Sequence, residues 1–117
     1  SYHKVAPQFW IAKDEEGNLL GVNSGFKTGK GYRSRGLYVA QSYRRHGVGA
    51  LLLQKAIEHA HEEDCEFVWS LPRESALPVY RKVGFEVCSN KITEDVEFGP
   101  NFYVQLKINP VENEIDE

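Results

Sequence analysis

The sequence predicts an α/β domain of the α+β kind: a mixed, mainly antiparallel sheet with a central parallel strand–helix–strand crossover and a second helix. Three observations predict it. Short aromatic and β-branched runs joined by tight turns fill the chain as far as Ala40. The hydrophobic period then lengthens from two to about four over residues 47–62. Short apolar runs resume at 65–70, 85–89 and 102–108.

The elements follow in order. Gln8 to Lys13 ("QFWIAK") reads as a strand, and "DEEGN" after it has the Asp, Gly and Asn of a hairpin turn. Leu19 to Lys27 pairs with it, "TGKG" at 28–31 is a second turn, and "YRSRGLYVA" is a third strand. Connections this short favour an antiparallel meander, because parallel neighbours need a crossover of about a dozen residues or more. Val48, Leu52, Ala56 and Ala60, widened by Leu53 and Ile57, make residues 47–62 an amphipathic helix. "CEFVWS" at 65–70 then completes the parallel crossover. A second helix over about 75–83 accepts Pro78 in its first turn and ends at Gly84. "FEVCS" and "FYVQLKI" are the last two strands, joined by an acidic loop from Glu94 to Pro100. The reading is one domain over 1–109 and an acidic tail over 110–117.

Composition excludes several function classes. The 117 residues suffice for one core, and 41% hydrophobic with 12% aromatic residues fits a globular fold. No stretch approaches the roughly 20 apolar residues of a membrane span, and residues 1–10 lack the apolar core of a signal peptide. A net charge of −3 gives no reason to expect nucleic acid. Cys65 and Cys88 lack metal-site spacing, so no metal is expected, and a reduced, cytoplasmic protein is the simplest reading.

The stretch "YRRHGVGALLL" at 43–53 puts Gly47 and Gly49 at the first turn of the best helix, with no polar cap. Unpaired N–H groups at a helix start, with the helix dipole, favour an anion by about 0.3–1 kcal/mol. Glycines would let a phosphate approach them, and Arg44 and Arg45 add fork-shaped donors. A tight turn with solvated arginines is the alternative. Neither a dinucleotide fingerprint nor a Walker loop fits, since Leu52 stands where the third glycine would be and no Gly-Lys-Ser/Thr follows.

"LYVAQSYRRHGVGALLL" resembles the central motif of the GNAT superfamily of acyl-CoA-dependent N-acetyltransferases, with Gln41 in place of its usual proline. A second motif, "RESALPVYRKVGF", matches the family at Ala76, Tyr80, Gly84 and Phe85. The resemblance implies a GNAT-type fold in which Arg44, Arg45, His46, Gly47, Val48, Gly49 and Ala50 hold the coenzyme A pyrophosphate. It implies that backbone groups at Leu37, Tyr38 and Val39 pair with the pantetheine arm, and that Tyr80 serves as general acid to the departing thiolate. Acetyl-CoA is the implied cosubstrate and a small-molecule or peptide amine the implied acceptor, with no nucleic acid or membrane partner. Arg73 stands where the family has an asparagine, so that contact does not carry over.

An amine of pKa about 10.4 must lose a proton to attack at pH 7, a cost of roughly 4.6 kcal/mol. A carboxylate base is therefore expected; Glu66 and Glu97 are candidates that their spacing does not separate, and Glu94, Asp95 and Glu97 could attract a cationic acceptor. GNAT chains usually begin with a strand and two helices that wall the acceptor site, and the resemblance here is N-terminally shortened. A shortened chain, a minimal member with an open groove, or a homodimer that covers the gap would each account for it. The rival reading is a coenzyme A-binding module without catalysis, acting as a sensor or assembly domain.

Overall fold

Period-two alternation and period-four alternation become two layers, a sheet and a pair of helices packed on one of its faces. The computed structural model describes residues 7–44, 46–93 and 101–108. Strands β1 (Gln8–Lys13), β2 (Leu19–Thr28) and β3 (Gly31–Val39) form the predicted meander. The first turn is tied by Asp14, whose carboxylate accepts from the N–H of Asn18 at 2.8 Å and of Glu16 at 2.9 Å. Those bonds hold its pKa below the ordinary carboxylate value.

Helix α1 (Val48–Glu62) crosses to β4 (Phe67–Ser70), which lies parallel to β3. A 3-10 turn at Glu74–Ala76 leads into α2 (Leu77–Val83), with Pro78 in its first turn and Gly84 closing it in the left-handed region. Strands β5 (Glu86–Val87) and β6 (Val104–Lys107) complete a sheet of order β1-β2-β3-β4-β6-β5, antiparallel everywhere except β3–β4. Strand β4 starts two residues later than the sequence predicts. The reason is local: Asp64 takes φ 60 and the Cys65 N–H returns to the Ala60 carbonyl at 3.0 Å, so both residues finish the helix. "FEVCS" contributes only two strand residues, and Cys88 is exposed; both cysteines are free. Arg45, the acidic loop 94–100 and the tail lie outside the described residues.

The core forms where α1 meets the sheet. Leu53, Ala56 and Ala60 pack with Tyr32, Val68 and Val104, and Leu77, Tyr80 and Phe85 extend the cluster around α2. Each fully buried side chain of this size is worth about 1.5–3 kcal/mol relative to exposure. The opposite sheet face is open. Phe9 is 63% exposed and Ile11 57%, and register carries that face through Ser24 and Arg35 to Tyr38. Among the described residues no helix is long and apolar enough to cross a membrane.

Tyr32 is the core's weak point. Its ring stacks edge-on with His59 at 5.5 Å and tilts against Trp10, yet its hydroxyl is buried without a hydrogen-bond partner. Desolvation, with the Glu63 charge adding to it, pushes its pKa up to about 12. A raised folded-state pKa means stability present below pH 10, where the unfolded chain also stays neutral, and lost as pH rises toward 12. Removing the hydroxyl by Tyr32→Phe is expected to leave the melting temperature at pH 7 unchanged or higher, and to reduce the alkaline loss above pH 10. Thermal unfolding across pH 7–11 measures both.

Candidate functional site

Strands β3 and β4 run together for only three residue pairs, Gly31 with Phe67, Tyr32 with Val68 and Arg33 with Trp69. Beyond that point β3 continues to Val39 unpaired with β4, which ends at Ser70, and the gap past the end of β4 is the candidate cleft. Two constraints produce the divergence. On one side β3 carries a bulge: Ser24 faces Arg35 and Val22 faces Tyr38, so Asn23 alone faces both Gly36 and Leu37. Gly36 takes φ 81, which a side chain would resist. On the other side the chain after β4 is drawn outward. Phe102 N–H donates to the Pro72 carbonyl at 3.0 Å and Asn101 Nδ2 to the Leu71 carbonyl at 2.6 Å.

The bulge also sets which β3 groups face the cleft. Ala40 N–H donates to Leu20 O on β2 at 2.8 Å, so one residue earlier the backbone groups of Val39 turn to the cleft. Its carbonyl accepts from Arg44 Nε at 3.1 Å, and its N–H points away from β2. Tyr38 differs from expectation: its backbone faces β2 and its side chain stands on the open sheet face, 47% exposed. Leu37 and Val39 turn their side chains toward α1.

At the end of the cleft the first turn of α1 points its N–H groups outward. The first helical bond runs from Leu51 N to Gly47 O at 3.0 Å, so Val48, Gly49 and Ala50 have no helical acceptor. No side chain caps this end and no acid lies in the first turn. The two glycines have different jobs. Gly47 is the N-cap at φ 84 with open space above it, which suits a group approaching from outside. Gly49 instead faces inward. A Cβ there would lie 3.3 Å from Val79 Cγ2 and 3.5 Å from Val39 Cγ2, so its smallness lets α1 seat against α2 and β3. The expectation that both glycines clear room for a phosphate therefore holds in form only at Gly47. His46 is exposed and stacks edge-on with Tyr43 at 6.1 Å.

Tyr80 stands behind the cleft on the helix side, buried and edge-on to Phe85 at 5.2 Å. Its hydroxyl lies 3.4 Å from Ser70 Oγ. Ser70 donates to the Ser34 carbonyl at 2.7 Å, at the rung where the β3–β4 ladder stops, so Tyr80 is the donor to Ser70. Ser34 Oγ in turn donates to Asn23 Oδ1 at 3.1 Å, and Asn23 Nδ2 reaches the Leu52 carbonyl at 3.5 Å. This buried chain of hydroxyls and amide joins both helices to β2, β3 and β4. Burial raises the Tyr80 pKa above its ordinary value, with the hydroxyls of Ser70 and Ser34 opposing it, so the group is protonated at neutral pH. The sequence reading missed Ser34, Ser70 and Asn23. Their signal was a polar residue at an inward position of an alternating strand.

Glu66 lies at the start of β4, the end away from the cleft, where its N–H donates to the Lys30 carbonyl at 2.8 Å; Glu97 is outside the described residues. Arg73 is exposed and forms an isolated bridge with Asn101. A surface groove lined by Ile57, His61 and Leu106 sits at the far end of α1 from the cleft. Among the described residues no cluster of three His, Cys, Asp or Glu side chains is placed to hold a metal ion. An open strand edge leading to an uncapped helix start suits an extended amide-bearing arm that ends in a phosphate.

A family model described as acetyltransferase (GNAT) domain matches residues 6–87. Nourseothricin acetyltransferase superposes with a TM-score of 0.76 at 23% identity, over 86% of this chain and 65% of its own. An acetyltransferase from Bacillus cereus ATCC 14579 gives 0.75 at 23% identity, over 89% and 74%. A Bacillus subtilis acetyltransferase in complex with CoA gives 0.71 at 20%, over 88% and 78%. At these identities the likeness is one of fold, and this chain spans less than two thirds of the first of them.

The two glycines separate by mutation. Gly47→Ala is expected to cost about 1–2 kcal/mol through left-handed strain alone. Gly49→Leu is expected to cost about 1–3 kcal/mol or more by forcing α1 off Val79 and Val39. Urea unfolding of both variants measures the difference, and an unchanged Gly49→Leu would mean α1 is not held closely there.

Proposed function

The chain belongs to the GNAT family of acetyltransferases, and from that premise we propose that it moves the acetyl group of acetyl-CoA directly onto a primary amine. One observation carries the reading: the uncapped helix start at Val48, Gly49 and Ala50 packs against the end of β3, where the Val39 N–H points away from β2. The pyrophosphate would take the amides of the first turn of α1, with the Arg44 guanidinium beside them while its Nε keeps the Val39 carbonyl. The role of Arg45 rests on the motif. The pantetheine arm would add to the open edge of β3 as a short surrogate strand.

The chemistry follows from where the groups lie. A neutral amine attacks the thioester carbon, the new C–N bond forms, and the C–S bond breaks. The nitrogen releases its proton to water, and the sulfur takes the proton of Tyr80, which recovers one when the product leaves. A buried tyrosine with a raised pKa is a reluctant acid toward water but adequate toward a nascent thiolate held beside it. Ser70 orients that hydroxyl and can turn its own proton to the phenolate oxygen while the charge lasts.

Thermal unfolding with millimolar acetyl-CoA, followed by thiol release over a broad amine panel, tests the reading. Ligand at about 100 times its dissociation constant adds about 2.7 kcal/mol, and each kcal/mol is worth roughly 4–8 °C in a domain of this size. A rise with thiol release supports transfer, a rise without it supports a binding module, and no rise contradicts both. Tyr80→Phe is expected to lower kcat about 100-fold or more while the coenzyme-induced rise stays the same. Full activity of that variant from pH 6 to 9 would remove Tyr80 as the acid.

A further inference from the structure

The sheet face opposite the helices carries charge that the proposed chemistry does not use. Arg33 and Arg35 stand two apart on β3, so both side chains emerge on that face. Register sets Arg33 between Phe26 on β2 and Trp69 on β4, and Arg35 beside Ser24. The Arg33 guanidinium carbon lies 4.9 Å from the centroid of the Trp69 ring. That ring is fixed in turn, because its indole N–H donates to Thr28 Oγ1 at 2.9 Å and it leans on Tyr103 at 5.8 Å. The Arg33 Nε is buried with no hydrogen-bond partner. Among the described residues no carboxylate forms an ion pair with either arginine. Burial, with the Arg35 charge adding to it, lowers the Arg33 pKa from its ordinary value.

Their position gives this a direction. Arg33 belongs to the last β3–β4 pair, and Arg35 precedes the bulge, so the two flank the opening of the cleft. Strand alternation puts them on the face away from Tyr80, which meets the sheet from the helix side with Ser34 and Ser70. Both guanidiniums therefore lie on the open face beside the β3 bulge, where an acceptor approaching from that face would meet them. Two like charges held side by side, one with a desolvated N–H, disfavour a polycation there and favour a planar anion that accepts from both.

We infer that Arg33 and Arg35 hold a carboxylate of the acceptor, which is therefore an amine that also carries a carboxylate, an amino acid or the like, and not a polyamine or aminoglycoside. The amine half of this rests on the acetyl-transfer reading; the carboxylate half rests on the arginines alone. The test uses matched amines, glycine against glycinamide and leucine against leucinamide, with spermidine as the polycation. The amides have the less basic amino groups, so intrinsic reactivity at pH 7 favours them. The expected result is a kcat/KM about tenfold or more higher for the acids, about 1.4 kcal/mol, with the preference lost in Arg33→Gln and in the exposed Arg35→Gln. Equal rates, or a preference for the amides or spermidine, overturn the inference. A second reading needs neither coenzyme nor turnover: the indole 15N resonance of Trp69 should move on titration with leucine and stay with leucinamide. No movement with any acid overturns the inference whatever the thiol assay gives. Movement without thiol release would keep the anion site and sink the acetyl-transfer reading.

Discussion

The parting of β3 from β4 after Arg33 is the constraint from which the rest of the site follows. A parallel pair that stayed in register to the end would bury the backbone groups a ligand must reach. The bulge at Gly36 and Leu37 turns the end of β3, and the bonds of Asn101 and Phe102 to Leu71 and Pro72 draw the chain after β4 the other way. Such a gap leaves main-chain donors and acceptors without ladder partners, and an unpaired buried group costs about 1–3 kcal/mol. Ser70 limits that cost where the strands separate by donating to the Ser34 carbonyl. The same hydroxyl is the contact of Tyr80, so the group that closes the ladder also positions the Tyr80 hydroxyl.

The helix start obeys a related constraint. Its N-cap is Gly47, whose left-handed φ turns the chain sharply from strand to helix, and nothing in the first turn competes for the exposed amides. Gly49 is a packing device. Its lack of a side chain brings the α1 terminus within contact of Val39 and Val79. One glycine thus permits the close approach of the helix start to the end of β3.

Much of this was legible in the sequence. Alternation and turn residues marked β1, β2 and β3 closely, and the change of period marked α1, because each pattern is a direct image of burial on one face. The fold family was legible because two motifs fall at the right separation around Gly47 and Tyr80. Other features were hidden for physical reasons. The bulge depends on a pairing between Asn23 and two residues of β3, a relation that no local pattern contains. Ser34 and Ser70 read as ordinary strand polars until the inward face was known. Nothing local to Arg33 and Arg35 marks them, because the partner of Arg33 is Trp69, 36 residues further on. The family resemblance places the backbone of Tyr38 at the pantetheine arm together with Leu37 and Val39, and it does not say which edge of the strand each residue faces.

Whether the free strand edge and the uncapped helix start form one coenzyme surface is tested by amide 1H–15N shifts on titration with acetyl-CoA. Val39, Val48, Gly49 and Ala50 are expected to move together and saturate at one dissociation constant, with Tyr38, whose backbone is paired to β2, moving far less. Shifts centred on Ile57 and His61 in the groove at the other end of α1, or none at saturating coenzyme, would contradict a single surface.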